Sequence, residues 1–142
     1  MLVLFIRCVM ALIEFMVAGN PKPKGSMRAF VPKGWTRPIL TSSNPGVKDW
    51  ESAIRGVAQN FSDAYSTGPV RVRLRFALRA PKRVPCHHHV KRPDLDKLCR
   101  AALDACTGVL WKDDSQVYSL GATKRYATNH EPPHVRILIR SV

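Results

Sequence analysis

At 142 residues with 45% hydrophobic content, the chain can bury one core and is too regularly patterned for a disordered tail, so 1–142 reads as a single domain. Lys and Arg number 23 against 10 Asp and Glu, a net charge of +13 that repels itself unless a polyanion is near. The four cysteines have no paired spacing, which argues against a zinc ribbon and makes no demand for an oxidising compartment.

The opening 1–17 is apolar, but Arg7 and Glu14 interrupt a run already too short to span a bilayer, and no basic leader precedes it. Leu12 to Val17 reads as a buried first strand. Residues 1–9 read as an extra lead-in, with Met10 as an alternative start. Ala18 to Gly46 reads as one long loop punctuated by Pro and Gly, carrying Lys22, Lys24, Arg28, Lys33 and Arg37 with Phe30 and Trp35 among them. Cations interleaved with aromatics suit backbone contact and base stacking; a merely solvated loop is the alternative. Val47, Trp50, Ile54, Val57, Ala58, Phe61 and Tyr65 then trace one helical face, read as core.

Gly68-Pro69 ends that helix, and the next stretch alternates. Val70, Val72, Leu74, Phe76 and Leu78 face one way, while Arg71, Arg73, Arg75 and Arg79 face the other, either binding phosphate or lying plainly in solvent. Ala80 to Lys91 is a second basic loop with Cys86-His87-His88-His89. Adjacent ligands rarely all reach one ion, so zinc is disfavoured. His89 reads as reaching a phosphate or water near Asp94, or as a surface residue without chemistry.

The stretch 92–116 is the most informative. Pro93 suits the edge of a helix and Asp94 its N-cap. Leu95, Leu98, Cys99, Ala102, Leu103 and Cys106 then hold helical spacing until Gly108 stops it. Asp94 and Asp96 crowd the start of this helix, and Asp113 and Asp114 follow it closely. Carboxylates from two segments thus meet in a basic protein, with Lys91, Arg92 and Lys97 around them. They either complement a helix end or form a hard-cation site, since Mg²⁺ takes carboxylates, waters and phosphate oxygens. Residues 116–126, with Lys124 and Arg125, read as a strand, 129–133 as a turn and 135–140 as a last strand. The expected order is β-α-β-α-β-β: a two-layer α+β domain with a mixed sheet and helices on one face.

Arg92-Pro-Asp-Leu-Asp-Lys-Leu98, then Ala-Leu-Asp-Ala-Cys-Thr-Gly-Val-Leu-Trp111, then Asp113-Asp-Ser-Gln-Val117 resemble the signature of the RusA-type Holliday junction resolvases. Gly19-Asn-Pro-Lys-Pro-Lys-Gly25 is similar to that family's N-terminal loop, and the likeness runs from about Leu12 to the end. The resemblance implies a Mg²⁺-dependent endonuclease, with Mn²⁺ as a substitute, that cuts four-way DNA junctions as a two-fold homodimer. It implies Asp94, Asp96 and Asp114 as the metal-binding catalytic carboxylates, with Asp113 as an auxiliary. Arg100 stands where the family often has a catalytic Lys; it keeps the charge but cannot transfer a proton. Lys22, Lys24, Arg28, Arg71, Arg73, Arg75, Lys91, Arg92 and Lys97 are then the expected DNA contacts. No membrane or small-molecule cofactor is expected, and the setting is cytoplasmic, as for a phage or prophage enzyme. The rivals are a non-catalytic basic nucleic-acid-binding module and a flap or general nuclease of the same chemistry.

Overall fold

The alternation over 12–18 and 70–78 and the helical periodicity over 95–106 are realised where the sequence places them. The computed structural model describes residues 11–142 except Ser26, Ser43, Pro85 and His87, so the expectation about a lead-in at 1–9 lies outside the described residues. Strand β1 (Leu12–Ala18) buries Ile13, Phe15 and Val17 and exposes the residues between them. Helix α1 (Val47–Ala58) buries Val47, Trp50, Ile54 and Ala58. Strand β4 (Val70–Leu78) buries Val70, Val72, Leu74, Phe76 and Leu78 and leaves Arg71, Arg73 and Arg75 exposed. Helix α2 (Leu95–Cys106), β5 (Val117–Tyr126) and β6 (His134–Ser141) complete the main elements.

The sheet runs β1-β6-β4-β5. β6 is antiparallel to both β1 and β4, whereas β4 and β5 are parallel. A parallel pair cannot be joined by a hairpin, and α2 is the crossover between them. Both helices cover one face, where Ile54, Ala58, Leu98, Ala102 and Cys106 meet Val72, Leu74, Phe76 and Ile137 in one core. Leu98 is fully buried, so Leu98→Ala would cost about 2–5 kcal/mol. The expected two-layer α+β domain with a mixed sheet is what forms.

Two expectations need correction. The stretch 18–46 is not continuous loop: β2 (Met27–Phe30) and β3 (Ile39–Ser42) pair antiparallel as a small hairpin. All four β2 residues are exposed, so no buried face imposes an alternation that could be read in advance. Arg28 sits on this hairpin, opposite Thr41. Helix α1 also ends sooner than expected, passing into a 3-10 segment (Gln59–Ala64), which leaves Tyr65 42% exposed rather than on the core face.

The segment 19–25 is fastened down instead of hanging free. Gly19 has φ +139°, and a Cβ there would lie 2.9 Å from the Trp50 ring, so only glycine lets the chain cross that indole. The Lys24 amide donates to the Lys97 carbonyl at 3.0 Å. The Lys24 ammonium ion-pairs with Glu51 of α1 at 3.0 Å and with Asp104 of α2. Lys24, expected among the DNA contacts, thus joins the two helices through its charge.

The β5–β6 turn is held by a two-pronged ion pair. Arg125 donates through Nη1 and Nη2 to Glu131, and the Thr128 amide donates to Glu131 Oε1 at 3.0 Å. These contacts favour the carboxylate, so the Glu131 carboxyl is pulled down to about 2, chiefly by Arg125. The stabilisation is complete above the ordinary glutamate range near about 4.3 and is lost as the pH falls toward 2. The Thr128 amide resonance should therefore titrate with a midpoint near 2; a midpoint at the ordinary value would refute the pairing.

Candidate active site

Asp94 occupies the N-cap position of α2, with extended backbone, yet its carboxylate caps no helix N–H. It lies 3.4 Å from the Lys97 ammonium, both side chains about half exposed. A carboxylate placed only to cap would face the first-turn amides. Two residues along, Asp96 lines an open cavity of about 590 Å³ together with Arg100 and Asp114. Leu95, Leu103, Leu120 and Ala122 form its apolar walls, and β4–β5 pairing puts Leu120 beside Val72 and Ala122 beside Leu74, on the helix side of the sheet.

Asp114 reaches this cavity because the turn carrying it is locked from three directions. Thr107, the C-cap of α2, donates its hydroxyl to Asp114 Oδ1. Trp111, fully buried, donates Nε1–H to Asp114 Oδ1 and Thr107 Oγ1, each at 3.1 Å. Gln116 then donates to the carbonyls of Ser66 at 3.0 Å and Gly68 at 2.9 Å, tying the turn to the start of β4. Both contacts to Asp114 use one oxygen, and no described residue donates to the other. Gly108, with φ +84°, provides the left-handed residue that lets the chain leave the helix directly.

Asp113, expected as an auxiliary, has a capping position in this turn. It caps the short 3-10 turn Asp114–Gln116, accepting from the Ser115 amide at 2.8 Å while Gln116 Oε1 accepts from the Asp113 amide at 3.0 Å. Those hydrogen bonds to Ser115 hold its carboxyl below the usual range.

A second cavity, of about 450 Å³, opens on the other side of the α2 N-terminus and is lined by Lys22, Arg92, Asp94 and Lys97 with Pro21 and Pro93. The fold thus gathers Asp96, Asp114 and Arg100 in one cavity and sets Asp94 in its neighbour. Lys91 and Arg92 are exposed on the approach to α2. Arg71, Arg73 and Arg75 lie on the opposite face of the sheet.

Lys124 is a residue that sequence reasoning missed. Its ammonium donates to the carbonyls of Lys91 at 2.7 Å and Pro93 at 2.8 Å, latching the segment before Asp94 onto β5. Its position on the core-facing side of a strand was the available signal, because a cation there needs partners. His89 is not a surface group: it is 7% exposed and packs on Tyr126 with ring centroids 4.5 Å apart. Burial, with Lys124 beside it, lowers its pKa below the ordinary histidine value. Cys86 donates to the His88 carbonyl at 2.8 Å, and His87 lies outside the described residues.

The donor chemistry fits a hard cation. Burial and the Asp96 charge push the Cys99 thiol up to about 11, and burial and Asp114 push Cys106 up to about 12, so oxygen is the ligand on offer. Among the described residues no three acidic, imidazole or thiol groups already form one shell. Two carboxylates in one cavity suit Mg²⁺, which keeps several waters and takes substrate oxygens.

Comparison with known proteins bears on this geometry directly. The model of the family described as endodeoxyribonuclease RusA matches residues 19–140, from the fastened N-terminal segment through both carboxylate-bearing segments to the last strand. The chain belongs to the RusA endodeoxyribonuclease family. It is also similar to the Bacillus subtilis (strain 168) protein YqaN, described as uncharacterized, with 27% identity over 142 residues, 92% of this chain and 96% of that protein. Membership of the RusA family makes the chain a nuclease, an enzyme of phosphodiester chemistry. Among the described residues no helix is long and apolar enough to cross a membrane.

The Asp114 clamp can be tested separately. Thr107→Val removes the hydroxyl donor at nearly constant volume. Mn²⁺ affinity, measured by calorimetry, should fall about 10–100-fold, as for other groups that orient metal ligands. Unchanged affinity would show that the hydroxyl does not set the carboxylate's aim.

Proposed function

We propose that this RusA-family chain is a divalent-metal-dependent endonuclease that cuts four-way DNA junctions. The observation that carries the reading is the cavity shared by Asp96, Asp114 and Arg100 at the start of α2. Asp96 and Asp114 would hold Mg²⁺, or Mn²⁺ in its place, with Asp94 as the third carboxylate from the adjoining cavity. When bound, such an ion would supply charge neutralisation and a water of lowered pKa. Hydrolysis forms the bond from water oxygen to phosphorus as the bond to the 3′ oxygen breaks; the water's proton passes to solvent, and the leaving 3′ oxygen takes one from solvent.

The protein's own groups hold and neutralise. The Arg100 guanidinium, permanently charged, donates to the non-bridging phosphate oxygens as charge builds on them and takes no part in proton transfer. Lys22, Arg92 and Lys97, around Asp94, hold the backbone leading into the site, with Lys91 and Arg28 as outlying cations. Lys124 acts through the chain, keeping Asp94 at the cavity edge. Resolving a junction takes two matched cuts, which a two-fold homodimer with two such sites would supply. The cytoplasm, where DNA and Mg²⁺ are both present, is the matching setting.

Asp96→Asn tests this against a basic binding module. Single-turnover cutting of a synthetic four-way junction in Mg²⁺ should drop at least about 100-fold while junction binding persists or tightens. Undiminished cutting would remove Asp96 from catalysis. Flap and linear duplex substrates beside the junction decide the remaining alternative, because a general nuclease of the same chemistry would cut all three alike.

A further inference from the structure

The helix-free face of the sheet carries a charge arrangement that the cleavage site does not explain. On the central strand β4, Arg71, Arg73 and Arg75 point away from the helices and are exposed. On β6, Arg140 stands directly opposite Arg71 and Arg136 directly opposite Arg75. Like charges facing each other across a strand pair destabilise a sheet, and here the arrangement occurs twice. The one ion pair formed by these five arginines among the described residues is Arg136 with Glu14, at 3.6 Å and half exposed. Such a pair offsets little.

The side chains are also organised. A register shift between Val70 and Arg71 accommodates an extra residue on β5, and the exposed Tyr118 ring lies under Arg71, 5.7 Å from guanidinium to ring centroid. Arg71, Arg73 and Arg140 line a small cavity of about 70 Å³, and Arg73, Arg75 and Arg136 line another of about 50 Å³. From Arg71 to Arg75 the strand advances roughly 13 Å. Five cations over that length make about one per 2.6 Å, against one phosphate per about 1.7 Å of duplex DNA axis.

This face lies across the sheet from the Asp96–Asp114 cavity, whose walls Leu120 and Ala122 are on the helix side. DNA strung through the cavity of a protomer would have to round the β5 edge to touch these arginines. We propose that the helix-free face is a second DNA-backbone site, holding a duplex arm other than the one being cut. The proposal rests on the reading that the substrate is branched DNA, and it gives each protomer grips on two arms.

The test is binding by fluorescence anisotropy, in EDTA, of a linear 30-base-pair duplex and a four-way junction across a salt series. The variant is Arg71→Gln/Arg73→Gln/Arg140→Gln in the full chain. Three lost phosphate contacts should make the slope of log affinity against log salt shallower by about 2–3. The corresponding Arg→Lys triple variant should keep the parent slope, which separates lost charge from a damaged fold. An unchanged slope in the Gln variant would overturn the proposal. So would a change in sedimentation between one chain and two, because the face would then be a contact between copies. Binding is read without cleavage, so the two readings fail separately. A parent chain that loses slope through these arginines but cuts no junction sinks the nuclease account alone. A chain that cuts junctions while the Gln variant binds unaltered sinks this site alone.

Discussion

Everything at the acidic cavity depends on how Asp114 is held. A carboxylate near a second carboxylate is pushed away by Coulomb repulsion, and a short surface turn would let it swing into solvent. Here the Trp111 indole N–H and the Thr107 hydroxyl grip one of its oxygens from the end of α2. The hydroxyl cannot give its single proton to both Asp114 and the Leu103 carbonyl at once, and the charged acceptor makes the stronger bond. Because Trp111 is fully buried, the anchor is part of the hydrophobic core. The aim of the Asp114 carboxylate and fold stability are therefore joined at one indole.

The rest of the architecture separates charge. α2 presents Asp94 and Asp96 at its N-terminus, whose dipole favours anions, while the β4 and β6 arginines occupy the other face of the sheet. The sheet core between them keeps the cations from neutralising the acidic cavity directly. Lys24, bound to Glu51 and Asp104, and Lys124, bound to two carbonyls, serve as internal fasteners. The net charge of +13 is thus divided between residues that hold the fold together and residues that face outward.

Much of this was legible because it is periodic. The spacing of Leu95, Leu98, Cys99, Ala102 and Cys106 defines α2, the Val/Arg alternation defines β4, and the short run from Cys106 to Asp114 brings the second acidic segment back to the first. What stayed hidden is long-range or lacks a period. The Lys24–Asp104 pair joins residues 80 apart in sequence, and no local pattern announces it. Nor does the His89–Tyr126 contact have a local signature. The sheet order sets Arg136 and Arg140 against Arg75 and Arg71, so the second basic face is visible only once β6 lies beside β4. Every β2 residue is exposed, so the β2–β3 hairpin leaves no alternation of buried and exposed positions to read. Trp111 and Thr107 carried a signal that went unused: a buried indole needs an acceptor, and Asp114 stands three residues away.

The most direct test of the account is where a metal ion settles. A crystal of the protein grown or soaked with Mn²⁺ should give an anomalous peak between Asp96 and the free oxygen of Asp114, with carboxylate oxygens at about 2.1 Å and water completing an octahedral shell. Asp94 should turn from Lys97 toward the ion. A cavity that stays empty at saturating Mn²⁺, or a peak at other residues with Asp96 and Asp114 unliganded, would contradict the claim that these two chain segments form one metal site.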